Sequence, residues 1–134
     1  MLIPIMASIL LTTVNARYSH TAFGLRWLHA NLGELRDEAV IEEFHLRQAP
    51  DAIAGAILAR HPRIVGIGVY IWNVTLITDV VRRLRAEQPN LVLVLGGPEV
   101  RFEYEGTELF ALADYLVRGE GETVFHALAT ALMA

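Results

Sequence analysis

The sequence predicts an α/β protein: a doubly wound, five-stranded parallel sheet in the order 2-1-3-4-5, held in three α/β/α layers. Three observations carry that expectation. Short apolar runs alternate with longer helical patterns, which is how βαβ units read in a sequence. The runs at 63–70 and 91–95 are apolar throughout, as strands covered on both faces must be. The glycine pair that ends the second of these runs has no strand close behind it to pair antiparallel, so the chain must cross over.

The first strand is expected over Ile5–Thr13, leading into the polar loop Val14-Asn15-Ala16-Arg17-Tyr18-Ser19-His20. A helix follows, capped by Ser19 or Thr21 and closed by Gly33 just past its end. Its apolar residues Ala22, Leu25, Leu28 and Leu32, with Phe23 and Trp27 beside them, cover more than one stripe and predict heavy burial. Glu38–His45 reads as a weaker strand because charge interrupts it, which suits an outer position in the sheet. Pro50–Arg60 is an Ala/Ile/Leu helix, and Arg63–Tyr70 (RIVGIGVY) a central strand. Asn73 stands where it would cap the next helix. There Val74, Ile77, Val80, Val81 and Leu84 share one face, while Asp79, Arg82, Arg83 and Arg85 fall outside it. Leu91–Leu95 is the fourth strand, followed by a short helix near Arg101–Ala111. Asp114–Val117 is the fifth strand, and Gly119–Met133 the last helix. Five β/α repeats without a linker or low-complexity stretch make one domain, residues 1–134, of the flavodoxin-like (Rossmann-like) kind.

Bulk composition removes whole classes of function. With 54% hydrophobic and 19% charged residues, the 134-residue chain is too apolar to be disordered. A net charge of −4 gives no electrostatic reason to expect nucleic acid. The chain has no cysteine, which excludes disulfides, thiolate zinc, a cysteine nucleophile and a cysteine-ligated iron–sulfur cluster within it. The opening MLIPIMASILL lacks a basic flank and a cleavage pattern and is too short to span a bilayer. It reads as a buried strand, with no membrane partner and the cytoplasm as the expected compartment.

Ligands of open α/β sheets sit outside the carboxyl ends of the strands, near the switch in strand order. Those ends are unusually furnished here. The loop at 12–20 is long and polar, with Asn15, Tyr18 and His20; Tyr70-Ile71-Trp72-Asn73 carries two aromatics. Gly96-Gly97-Pro98-Glu99 and Arg118-Gly119-Glu120-Gly121-Glu122 are glycine-rich and acidic. Such a rim suits a large planar ligand bearing amides or hydroxyls. Each feature also has a plain structural explanation. Gly97 can serve a positive φ before Pro98, and Gly66 and Gly68 can ease close helix packing. Trp72 fits a half-covered rim residue as well as a contact. Glu120 and Glu122 favourably oppose a helix dipole, which makes that turn a poor phosphate cradle. His29, His45, His61 and His126 are scattered without metal-ligand spacing, and no metal site is expected from the chain's own residues. The first strand precedes neither GxGxxG nor GxxxxGK[ST]. The acidic positions of a phosphorylated receiver domain hold Thr12, Thr13 and Tyr70 instead. A Ser/His/Asp elbow and paired carboxylates are not evident either, so no catalytic residue is assigned.

Four stretches in order, TTVNARYSHTAFGLRWL, VYIWN, LVLVLGGPEV and LVRGEGE, resemble the N-terminal cobalamin (vitamin B12)-binding domain of cobalamin-dependent radical S-adenosylmethionine (radical SAM) enzymes. That family shows N-A-x-Y-x-H after the first strand, G-G-P-E after the fourth and G-E-G-E after the fifth, and the resemblance spans essentially the whole chain. It implies that Thr13, Asn15, Tyr18, Ser19 and His20 border cobalamin, and that Tyr70, Trp72 and Asn73 lie near the corrin. It further implies that Gly96, Gly97, Pro98 and Glu99 admit the ring or its nucleotide tail, with Gly119, Glu120, Gly121 and Glu122 at the tail. D-x-H-x-x-G, which supplies a histidine to cobalt in another cobalamin-binding class, is absent. The resemblance therefore implies binding with the dimethylbenzimidazole displaced and no histidine beneath the cobalt. CxxxCxxC is absent too, so the S-adenosylmethionine and iron–sulfur chemistry is expected in a downstream radical SAM domain, in cis or on a partner chain. The chain ends in ALATALMA, as an excised piece or a shortened relative would. The expected role is the cobalamin-binding module of a methyltransferase-like or tetrapyrrole cyclase-like enzyme. The alternative is a flavodoxin-like nucleotide-binding or docking domain without cobalamin.

Overall fold

The structure is a computed structural model of the chain and describes residues 6–16, 23–70, 72–97, 107–117 and 121–134. Five strands, β1 (Ile9–Asn15), β2 (Ala39–His45), β3 (Ile64–Gly68), β4 (Val92–Gly96) and β5 (Tyr115–Leu116), alternate with five helices. The helices are α1 (Phe23–Ala30), α2 (Pro50–Leu58), α3 (Val74–Glu87), α4 (Glu108–Leu112) and α5 (Gly121–Met133). All strand pairs are parallel and the order is β2-β1-β3-β4-β5, as the sequence predicts.

Alternation along each strand feeds two cores. Leu10 and Val14 of β1, Val65 and Ile67 of β3, and Leu93 and Leu95 of β4 face α2 and α3, meeting Ile53, Ile57, Ile77, Val81 and Leu84. Ile9, Leu11, Ile64 and Val94 face the other way, onto Leu25 of α1 and Phe125 and Ala129 of α5. Each fully buried aliphatic side chain contributes about 1.5–3 kcal/mol relative to exposure, so the two layers together account for the sheet's cohesion. Gly66 lets α5 settle on β3: a Cβ there would stand 2.9 Å from Leu11 and 3.3 Å from Phe125, which bears out the helix-packing explanation.

Several sequence expectations need correction. β1 begins at Ile9 and runs on to Asn15, because Thr13, Val14 and Asn15 pair with Glu43, Phe44 and His45 of β2 instead of opening a loop. β3 likewise ends at Gly68, short of Tyr70. Helix α1 is not covered all round. Leu25 is buried, but Trp27 is 60% exposed, since the described elements packed against α1, chiefly β2 and α5, leave that flank uncovered. Gly33 does follow that helix with φ +58°, but it opens a 3₁₀ helix, Gly33–Glu38, that the sequence did not announce. Charge in the edge strand β2 is matched locally: Glu42 pairs with Arg60 and Glu43 with Arg26. Arg85, placed outside the apolar face of α3, is a hook. Its guanidinium donates to the carbonyls of Leu112 and Leu91, each at 2.7 Å, and to Asp114 Oδ2 at 2.8 Å. Asp114 Oδ2 in turn accepts from the Leu93 N–H at 2.8 Å.

Candidate functional site

Strands β1 and β3 are neighbours although β2 intervenes in sequence, so the order reverses between them. Their carboxyl ends form the switch point, and the end of β4 stands beside it through the register Gly68↔Gly96.

The turn after β3 is organised by Asn73. It occupies the N-cap position of α3, but its side chain makes no capping hydrogen bond, contrary to the sequence expectation. The reason is that the side chain is fully buried and committed elsewhere. Its Oδ1 accepts from the Tyr70 N–H at 2.8 Å. Two hydrogens on Nδ2 are shared among Val14 O at 3.0 Å, Thr13 Oγ1 at 3.2 Å and Gly68 O at 3.4 Å. Thr13, itself buried, donates its hydroxyl to Gly68 O at 2.7 Å. These bonds sew the ends of β1 and β3 together across the switch point.

Two aromatic rings stand over that seam. Tyr70 and Trp72 are stacked with centroids 4.6 Å apart and planes 5° from parallel. The Trp72 indole N–H donates to Val14 O at 3.3 Å, so this carbonyl takes two donors. Tyr70 is half-buried, its ring against Gly68 and its hydroxyl on the α1 side near Gly24, and burial raises the phenol pKa. Trp72 remains 44% exposed although one face of its indole is stacked on Tyr70.

On the neighbouring strand, β4 ends in bare backbone. Gly97 has φ +109°, and a Cβ on it would lie 2.6 Å from Val69 O, so the turn itself requires glycine. Gly96 is different. Among the described residues a Cβ there would meet only Val117 O, at an ordinary 3.8 Å, and none of them demands glycine at this position.

Of the candidates from the sequence, Thr13, Asn15, Tyr70, Trp72, Asn73, Gly96 and Gly97 gather at this rim, though Thr13 and Asn73 present no side-chain surface to it. Asn15 lies at its β2 side, 9% exposed, with Nδ2 donating to Glu43 Oε1 at 3.4 Å. Gly121 and Glu122 form the start of α5. Tyr18, Ser19, His20, Pro98, Glu99, Gly119 and Glu120, with the proposed cap Thr21, lie outside the described residues. The carbonyls of Val14 and Gly68 carry no mark in the sequence and converge on Asn73 only after folding. An open groove lined by His61, Arg63, Gln88 and Leu132 lies at the amino ends of β3 and β4, away from this rim. Among the described residues no three His, Asp or Glu side chains form a potential metal cluster, and no helix is long and apolar enough to cross a membrane.

Comparison with known proteins gives this rim a context. The family profile described as B12 binding domain matches residues 9–129. A cobalamin-binding protein from Desulfitobacterium hafniense DCB-2 superposes with a TM-score of 0.68 at 17% sequence identity. The alignment covers 96% of this chain and 59% of that one, so the chain spans about three-fifths of that protein's length. At this identity the likeness is one of fold. No curated protein matches the sequence.

Proposed function

The chain belongs to the B12-binding domain family, and from that premise we propose that it is the cobalamin-carrying module of a radical SAM enzyme, of the methyltransferase or tetrapyrrole cyclase kind. Family membership supports cobalamin as the ligand. The finer assignment draws on the four motifs and on the lack of cysteine, which assigns cluster chemistry to another domain or chain. One observation carries the reading at this rim: an exposed, stacked tryptophan follows β3, and the neighbouring strand β4 ends in bare backbone at Gly96, where no described residue demands glycine. A macrocycle with bulky substituents needs such a gap, and the residues present therefore fit it. Gly96, Gly97, Tyr70 and Trp72 would hold the ligand from one side, and Asn15 would border it from β2. Corrin amides and ribose hydroxyls are donors, for which Glu99, Glu120 and Glu122 offer acceptors. When bound, cobalamin supplies methyl-relay chemistry; the chain's own task is to bind it, orient it and limit water at that face.

The direct experiment mixes the purified chain with hydroxocobalamin and follows the visible spectrum through gel filtration. Corrin absorbance should co-elute with folded protein. A folded but corrin-free peak, for this chain and for the full-length protein alike, would leave a nucleotide-binding or docking module as the better reading. Displacement of the dimethylbenzimidazole without a histidine substitute predicts a reduced cob(II)alamin paramagnetic spectrum free of axial-nitrogen splitting. Observed triplet splitting would reject that part alone. A CxxxCxxC motif in the remainder of the gene or in a partner chain is the expected sign of the radical SAM context.

A further inference from the structure

We infer that the Tyr70–Trp72 pair is a stacking platform, on which a planar conjugated group of the ligand packs against the exposed Trp72 indole, on the side away from Tyr70. This deepens the cobalamin reading and rests on it. Three observations converge. The pair covers the switch point, where ligands of such sheets meet the protein. The polar backbone there is already used: Val14 O accepts from Asn73 and Trp72, and Gly68 O accepts from Thr13 and Asn73. What this part of the rim offers a ligand is therefore an aromatic face. Finally, the plane of the indole is fixed before any ligand arrives, by the ring of Tyr70 beneath and the N–H bond to Val14. The other exposed tryptophan, Trp27 on α1, has no ring partner among the described residues.

Asn73 is then a positioning residue. It is fully buried and acts by holding the Tyr70 N–H and the two strand ends, without touching the ligand. Stacking suits this site because offset, near-parallel rings are a favourable aromatic geometry and tolerate variation in the stacked group. Cobalamin carries two planar conjugated systems, the corrin and the dimethylbenzimidazole. Either meets the requirement.

The test compares dissociation constants for hydroxocobalamin, by absorbance titration, in the native chain and in Trp72→Phe, Trp72→Leu and Trp72→Ala, with thermal melts as the control for folding. Trp72→Ala should weaken binding about ten-fold or more, which corresponds to about 1.4 kcal/mol. The decisive pair is Phe against Leu. Both lose the bond to Val14 and both keep apolar bulk, so a purely structural role predicts equal affinity. The platform predicts that Trp72→Phe binds several-fold tighter than Trp72→Leu, whatever becomes of the alanine variant. Equal affinity of the two in a native chain that does bind overturns the platform alone. A native chain that retains no corrinoid overturns it together with the reading beneath it. Repeating the comparison with cobinamide, which lacks the nucleotide, locates the stacked group. A Phe–Leu difference that persists assigns the corrin, and one confined to cobalamin assigns the benzimidazole.

Discussion

Glycines 96 and 97 are adjacent, yet their replacement should fail in opposite ways. At Gly97, φ is +109°, a region in which a side chain costs of order 1–3 kcal/mol. The new Cβ would also stand 2.6 Å from Val69 O and 3.0 Å from Val69 N, both backbone atoms with little room to move. Relieving that contact pulls apart the Val69 N–H to Gly96 O bond, now 2.8 Å long, and an unsatisfied buried amide costs about 1–3 kcal/mol more. Gly97→Ala should therefore destabilise the domain by about 2–6 kcal/mol. Among the described residues Gly96→Ala meets only an ordinary contact at 3.8 Å, and its stability should stay within about 1 kcal/mol of native. Its defect should appear in corrinoid retention instead. Guanidinium denaturation followed by far-UV circular dichroism reads the first quantity through the midpoint at unchanged slope, and co-elution of corrin absorbance reads the second. A Gly97→Ala protein with a native midpoint would refute the steric reasoning. A stable Gly96→Ala protein that holds corrinoid like the native chain would refute the ligand contact at that position.

Three further outcomes are expected. Asn73→Ala strips partners from the Tyr70 N–H and from Thr13 Oγ1 and should cost about 2–4 kcal/mol in the same denaturation assay; Asn73→Asp should cost more, since a carboxylate would face the acceptors at Val14 and Gly68; a loss below about 1 kcal/mol for both would discount the seam. Thr12 is 3% exposed, and its hydroxyl has no hydrogen-bond partner among the described residues, so the near-isosteric Thr12→Val should be neutral or stabilise by about 1 kcal/mol; clear destabilisation would mean that a partner exists. Burial raises the Tyr70 phenol pKa, so any stability it contributes is complete below the unfolded value near 10 and is lost as pH rises through the folded value; a tyrosinate absorbance difference between the native chain and Tyr70→Phe should therefore develop above about pH 10, and a step at or below it would contradict the burial seen here.

The sheet was legible because its information is local. Uninterrupted apolar runs at β3 and β4 and the charged run at β2 announce which strands are central and which lies outside, and the observed order agrees. Strand ends were legible as a list of candidate residues, since β/α connections converge on one edge. What each residue does there was not. Asn73 meets Thr13 and Val14 across 60 and 59 positions of sequence, and a helix-start asparagine looks identical whether it caps or sews. Trp27 fell to the same limit: periodicity ranks the faces of α1 but does not reveal which flank its neighbours reach. Arg85 looked like a solvated charge because its acceptors are carbonyls, which every residue carries and no sequence marks.

Strand β5 is only two residues long, so most of the outer edge of β4 would be left bare were it not for Asp114. Its carboxylate takes the Leu93 N–H and its own N–H donates to Leu93 O, so one residue imitates the next rung of a ladder, with Arg85 holding the carboxylate in place. An open edge of this kind is a template on which another chain can add a strand, and aggregation commonly begins there. By closing the ladder with a side chain, Asp114 leaves no free rung at Leu93 on which a foreign strand could begin.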